Sequence, residues 1–463
     1  MCKKGETMSN EIDRLLGDHI SRRDLLKRAG LGAGLLVVPG VISACGGGTT
    51  TTTGASPVTT AGGEVTSTTV AGEPIKIGFV SPITGPAAGF GEPDAYVIGL
   101  ARKALEGGLT IGGKTYSVEI IDKDGQSNPA QAAAVAQELI NSDKVDLMLA
   151  TSTPETTNPV ADAAEAAGVP CISTVCPWEA WYFGRGAKPG EPSPFKYSFH
   201  FSFGVQEFAT TYIASWPQVP TNMKVGVMWP NDADGNAIRA ALGPLLEAAG
   251  YTIVDPGAYQ NGTNDYSSQI ATFKAEDCQI FNTFPIPPDF AVFWRQAAQQ
   301  GYTPKIAQIA KTGLFPSQVE ALGPIGINLA AAAYWAPIFP YKSSLTGIAS
   351  QALADGYETD SGKQWNQQIG PSMSLFDVGI AALNASGNPK DKAAVANAML
   401  SLKVETPLGI LEWGTFPVPN VVPTTLVNGQ WVKGTGKWPL DWVCVDNTED
   451  PNIPVGAKLV PFS

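Results

Sequence analysis

Histidine is almost missing from this chain. Two occur in 463 residues, His19 and His200, and a single histidine in the body of the protein builds no multi-histidine metal site. No His-Glu-x-x-His or Gly-x-Ser-x-Gly sequence is present, which removes two common hydrolase signatures. Positive charge is scarce: 30 Lys and Arg face 42 Asp and Glu, a net charge of −12. Nucleic-acid binding needs a basic footprint, so that class is excluded. Apolar runs are short. Ala29 to Ala44 spans sixteen residues, fewer than the roughly 20 that cross a bilayer as a helix. Cysteine is sparse, and only Cys171, Cys176, Cys278 and Cys444 lie in the body. Four cysteines allow three pairings, and the spacing leaves them free or undetermined.

What is present begins with an export pattern. Ser21-Arg22-Arg23-Asp24-Leu25-Leu26-Lys27 resembles the twin-arginine signal, and the short apolar stretch follows it. A positive region, a short apolar region and small closing residues mark a processing segment. The stretch closes on Val41-Ile42-Ser43-Ala44-Cys45-Gly46. This resembles the bacterial lipobox, which implies that Cys45 is lipidated and anchors the chain to a membrane, two acyl chains giving stable attachment. Residues 1–44 are then a signal peptide. Their seven Lys/Arg and five Asp/Glu leave with it, and the net charge moves from −12 to −14. Gly46 to Gly72 holds ten threonines and one charge, Glu64. Such a composition buries no core and reads as a disordered tether with a reach on the order of 30 Å.

The body alternates short apolar runs with helical patterns. Ile75–Val80, Tyr116–Ile121, Val145–Ala150 and Val169–Ser173 read as strands. Helices are expected over about Asp94–Glu106, Pro129–Ile140 and Thr157–Ala167. The rhythm restarts after Pro220, with strands at Lys224–Trp229, Thr252–Val254, Gln279–Phe284 and Ile306–Ala310 and helices between them. Alternation of this kind predicts βαβ units and parallel sheets covered on both faces. Roughly 390 residues exceed one core, so two α/β lobes are expected. Gly108 to Thr115 fits the P-loop pattern, but it follows a helix and opens a strand, the reverse of what phosphate binding requires.

An ordered series of segments gives the body a family likeness. Ile75-Lys76-Ile77-Gly78-Phe79-Val80-Ser81-Pro82 with Phe90-Gly91, Asp122-Lys123-Asp124 with Asn128-Pro129, Thr156 to Asp162 with Gly168-Val169-Pro170, and Phe293-Trp294-Arg295-Gln296-Ala297 resemble the branched-chain amino acid (Leu/Ile/Val) binding group of type I periplasmic binding proteins. The resemblance covers residues 75–445. It implies two doubly wound α/β lobes joined by a three-stranded hinge, a ligand clamped between them, an ABC permease as partner and no cofactor. It places crossings near Ser198–Ser202, Ala336–Pro340 and Leu402–Leu408. Lobe one is then 75–199 plus 340–403, and lobe two 200–337 plus 404–463.

Ligands of open α/β sheets sit beyond the carboxyl ends of strands, so the loops there hold the candidates. The hydroxyls of Ser152 and Thr153, at a helix N-terminus, suit a carboxylate, with N-capping as the plain alternative. The resemblance makes Phe90 an aromatic wall and puts ligand contacts in the loop of Cys176 and Trp178. It expects aromatic contacts where Asp234 and the loop of Ile286 stand, and an acidic ammonium partner where Lys311 and Thr312 stand. Lys311 favours an anionic ligand, a carboxylate with an aromatic body among the candidates. Asp232 or Asp234 would have to serve as the ammonium partner if the ligand is an amino acid. A sensor with the same fold and, more distantly, a hydrolase remain the alternative readings.

Overall fold

In the computed structural model, which describes residues 70–462, the chain builds two large sheets whose strands are short and mostly buried, with two small sheets beside them. The first runs Val421–Val422, Ser198–Phe201, Cys171–Thr174, Leu147–Ala150, Ile75–Ser81, Val118–Asp124, all parallel. The second runs Thr252–Val254, Lys224–Met228, Ile280–Thr283, Ile306–Ile309, Ala330–Ala333 in parallel, then Val427–Lys433 and Leu440–Asp446 antiparallel. Every residue of Leu147–Ala150 and Cys171–Thr174 is buried, as a strand covered by helices on both faces must be. Hence Leu147–Ala150 reads as an unbroken apolar run rather than an alternating one, and in Cys171–Thr174 the buried hydroxyls of Ser173 and Thr174 find backbone acceptors on Phe199 and Phe201.

Helix boundaries follow their caps. The Asn128 side chain accepts from the N–H of Ala130 and Gln131, with Pro129 at the first helical position of Pro129–Asn141. Asp232 caps Ala233–Ala248 by accepting from Gly235 N. These caps satisfy N–H groups that have no partner inside the helix.

The connections between lobes differ in part from the expected ones. Ser198–Phe201 belongs wholly to the first sheet, so the first crossing follows Phe201. The second leaves Ala330–Ala333, and the helices beyond it, Ser350–Ser361, Ile369–Ala385 and Lys392–Met399, stack on the first lobe. The third was expected at Leu402–Leu408 but falls between Val422 and Val427. Residues 403–412 form a hairpin that packs on Ile369–Ala385, Trp413 meets Phe201 edge-on, and Val421–Val422 then pairs with His200 and Phe201. The assignment of 404–422 to lobe two is therefore corrected. Two crossings are bonded together: Ser202 N donates to Val422 O and Thr424 N to Ser202 O.

The segment resembling a P-loop is a β-hairpin. Leu109–Ile111 pairs with Lys114–Tyr116, and Gly112 and Gly113 both take positive φ, 57° and 78°, as a two-residue hairpin turn of the primed kind requires. No helix begins there to cradle phosphate. The four body cysteines are free and buried. Cys45 and the segment before it lie outside the described residues.

Candidate functional site: a cavity between the lobes

The carboxyl ends of the two parallel sheets face each other across a cavity lined by both lobes. Four loops of the first lobe supply Phe90, Thr153, the pair Val175 and Pro177, and Phe203. Facing them stand Asp234, Phe284, Lys311 and Tyr334, each just beyond a strand of the second lobe. The lobes touch around this space. Phe90 meets Phe315 edge-on, ring centroids 4.9 Å apart. Glu155, in the first turn of Pro154–Ala167, accepts from Ala233 N at 3.3 Å, at the N-terminus of a second-lobe helix. This is a closed clamp.

Most of the wall is aromatic. Phe203 stacks on Tyr334 at 5.3 Å, and Phe208 lies edge-on to Phe203 and Phe284 at 5.2 and 5.0 Å. The polar part is a cluster on one side. Lys311 Nζ pairs with Asp234 Oδ2 at 2.8 Å and Asp232 Oδ2 at 3.4 Å, with all three side chains nearly closed to solvent. Asp234 Oδ1 is buried and has no hydrogen-bond partner. Burial pushes Asp234 up to about 7 against the pull of Lys311, with Glu155 and Asp232 adding to the rise. Burial acts on Asp232 in the same sense, but Lys311 and the Gly235 N–H hold its carboxyl below the usual range. Lys311 is dragged down by burial, yet Asp234, Asp232 and Glu155 keep it well above the ordinary lysine value and cationic.

Of the residues singled out by sequence, Phe90, Thr153, Asp234 and Lys311 come together at the cavity. Lys311 is committed to two aspartates, which corrects the expectation of a cation free to receive an anionic ligand. Asp232 caps its helix and partners Lys311 without lining the cavity. Ser152 is buried behind Thr153, its hydroxyl unpartnered. Cys176 and Trp178 are corrected as cavity walls. Val175 and Pro177 face the space, while the alternate residues turn inward to an aromatic satellite core with Trp181, Tyr182 and Phe195. There Cys176 Sγ contacts Thr157 Oγ1 at 3.6 Å, and Trp178 meets Phe416 edge-on at 5.4 Å. Ile286 precedes Pro287–Gln299 as its cap, leaving the wall to Phe284, and Thr312 donates to Pro285 O at 3.2 Å.

His200 is a packing residue. It is fully buried, stacked on Trp181 at 4.9 Å, with Nδ1 2.9 Å from Ser173 Oγ and Nε2 3.1 Å from Cys176 O. Burial lowers it to about 3, so it stays neutral. Nothing in the linear pattern marks Phe203, Phe208, Tyr334 or Leu426 as walls, because Phe203, Tyr334 and Leu426 stand where the chain leaves one lobe for the other and Phe208 lies in the helix Val205–Ser215. The aromatic run Phe199-His200-Phe201-Ser202-Phe203 was the one available signal.

Two parallel-sheet lobes closing on an internal cavity define a two-lobed binding protein. Residues 74–428 match the model of the periplasmic binding protein family, and the chain belongs to that family. It is 23% identical over 266 residues to a Leu/Ile/Val-binding protein homolog of Brucella suis, covering 55% of this chain and 62% of that one. The chain thus spans under two thirds of the length of the first curated relatives it matches. A leucine-, isoleucine-, valine-, threonine- and alanine-binding protein of Pseudomonas aeruginosa is 23% identical over 351 residues, covering 74% and 87% of the two chains. Among solved structures, a leucine-binding protein of Thermotoga maritima aligns with a TM-score of 0.66 at 18% identity, covering 81% of this chain and 99% of that one. A solute-binding protein of an ABC transporter from Rhodopseudomonas palustris, in complex with 3,4-dihydroxybenzoic acid, aligns at 0.65 and 21% identity, covering 81% and 98%. These likenesses carry the fold.

Proposed function

We propose that the protein is the extracytoplasmic solute-binding component of an ABC importer, held to the membrane by lipidated Cys45 and capturing a small organic solute by closure of its two lobes. One observation carries this reading: the cavity takes its walls from both lobes, with Phe90, Thr153, Val175 and Pro177 on one side and Asp234, Phe284, Lys311 and Tyr334 on the other. A ligand there touches both, and its binding energy favours the closed form that a permease can recognise. The amino acid and hydroxylated benzoate ligands of related proteins set the scale of the solute, and the aromatic walls suit a body of either kind. The lipobox-like run Val41-Ile42-Ser43-Ala44-Cys45-Gly46 supports the anchor at Cys45. The Gly/Thr-rich stretch between Cys45 and Val70, where the chain joins the folded body by pairing with Lys114 and Thr115, is long enough to give the clamp room to meet a permease.

Expression of the full chain in a bacterium tests both parts. The reading expects the protein in the membrane fraction, with Cys45→Ala releasing it to the soluble fraction, and a co-purified small molecule detected by native mass spectrometry. Retention of Cys45→Ala in the membrane would remove the anchor from the proposal, and a chain that binds no small solute would remove the transport role.

A further inference from the structure

We propose that the cavity selects an apolar or aromatic solute that offers a hydrogen-bond donor to Asp234, and that it turns away solutes whose polar head is a free carboxylate. This deepens the binding-protein reading and rests on it.

Four observations converge. Asp234, 3% exposed, stands at the cavity wall with Oδ1 buried and unpartnered. A buried acceptor left empty is costly, and a ligand N–H or O–H removes that cost. Lys311 is the one cation at the wall among the described residues, and its ammonium is shared by Asp234 and Asp232 with Glu155 acting on it from the opposite lobe. Two acidic side chains contact the one ammonium and Glu155 acts on it from further off, so the cluster holds more acidic groups than cations and has no unengaged positive charge. A carboxylate brought into it meets repulsion where it needs a partner.

Two backbone donors that could cradle an anion at the start of Pro154–Ala167 are also engaged within their own loop. Ser152 N and Thr153 N both point at Thr156 Oγ1, at 3.3 and 3.1 Å. The facing loop offers Val175, an apolar side chain, and Pro177, which has no N–H. The remaining surface is hydrocarbon and ring, led by Phe90, Phe203, Phe208 and Phe284. Lys311 therefore acts as a built-in counterion that keeps two aspartates ionisable in a dry site, and Asp234 is the specificity-determining residue that reads the head of the solute.

The test uses two matched series with one body and four heads each. Phenethylamine, phenethyl alcohol, phenylacetate and phenylalanine form the first; isoamylamine, isoamyl alcohol, isovalerate and leucine form the second. Binding to the full-length chain is read by thermal shift and calorimetry at neutral pH. The proposal expects the amine or the alcohol of a series to bind at least tenfold more tightly than the carboxylate and the amino acid. An amine-led order identifies a cationic head and an alcohol-led order a neutral one. In Asp234→Asn the preferred head loses about tenfold in affinity, while Lys311→Met tightens amine binding as its aspartates lose their internal cation. Tighter binding of phenylacetate, phenylalanine, isovalerate or leucine, with affinity lost in Lys311→Met, overturns the proposal and leaves the binding-protein reading intact. Silence from all eight compounds overturns the proposal, while the binding-protein reading stands or falls with the co-purified solute. The wild-type series needs no variant, so a poorly folded substitution does not blunt the test.

Discussion

Several buried carboxyls in this chain bind protons more tightly than exposed ones do, and that has a measurable consequence. Burial pushes Asp94, Asp234, Asp377 and Glu207 up to about 7 and Glu179 to about 8. A carboxyl with a folded pKa above its unfolded one binds a proton that the unfolded chain releases, so its contribution to stability falls as pH climbs between the two values. His200 acts in the opposite sense: lowered to about 3, it favours unfolding below its ordinary value of 6.5. The melting temperature should therefore rise as pH falls from about 8 to about 5, with His200 offsetting about one carboxyl's share below its ordinary value. A melting temperature that increases with pH across this range would contradict the account. At the cleft, Phe90 is 2% exposed and touches the opposite lobe through Phe315. Phe90→Ala removes both packing and a cavity wall, so a stability loss of about 3 kcal/mol is expected. Ligand affinity should fall with it, measured by denaturation and calorimetry on the same preparation.

At the scale of elements, helix ends carry the closure. Glu155 projects from the first turn of Pro154–Ala167 onto the N-terminus of Ala233–Ala248, where a negative charge is favourable by about 0.3–1 kcal/mol. Glu155→Ala should shift the ligand-free protein toward the open form by about twofold to fivefold, read as a larger radius of gyration in small-angle scattering. An unchanged scattering profile would assign closure to the apolar contacts alone. Gly204 opens the helix Val205–Ser215 directly after the first crossing, and a Cβ there would meet Trp178 Nε1 at 2.2 Å and Glu179 Oε1 at 2.7 Å. Gly204→Ala should cost about 1–3 kcal/mol through forced displacement of the tryptophan, seen as a lower denaturation midpoint at unchanged slope.

For the molecule as a whole, ligand and lobes are thermodynamically one system. A solute that binds only the closed clamp stabilises it by mass action, about 2.7 kcal/mol at a free concentration of 100 Kd. Calorimetry should show the melting transition moving upward with the logarithm of ligand concentration. Two separate transitions, of which one ignores ligand, would show that a single lobe holds the site.

Much of this was legible in the linear pattern, and the division is instructive. The parallel strands announce themselves as short apolar runs because both faces of the sheet are covered, and Asn128 with Pro129 marks a helix start by local chemistry alone. Phe90, Thr153, Asp234 and Lys311 were within reach because ligand sites in such sheets lie beyond strand ends, and the sequence names what stands there. The sequence by itself thus determined the α/β rhythm, the two-lobe size and which loops hold polar candidates, since each depends on short-range periodicity and capping. Only the tertiary structure decided the rest. Whether Val175 and Pro177 or Cys176 and Trp178 face the cavity turns on loop orientation that composition does not encode. That Val421–Val422 returns to the first sheet depends on an edge pairing with Ser198–Phe201, more than two hundred residues earlier in the chain. The state of Lys311 depends on Asp232 and Asp234 being folded against it from another strand end. A lone lysine and two distant aspartates look like separate charges in sequence, and only packing turns them into one cluster with a single open acceptor.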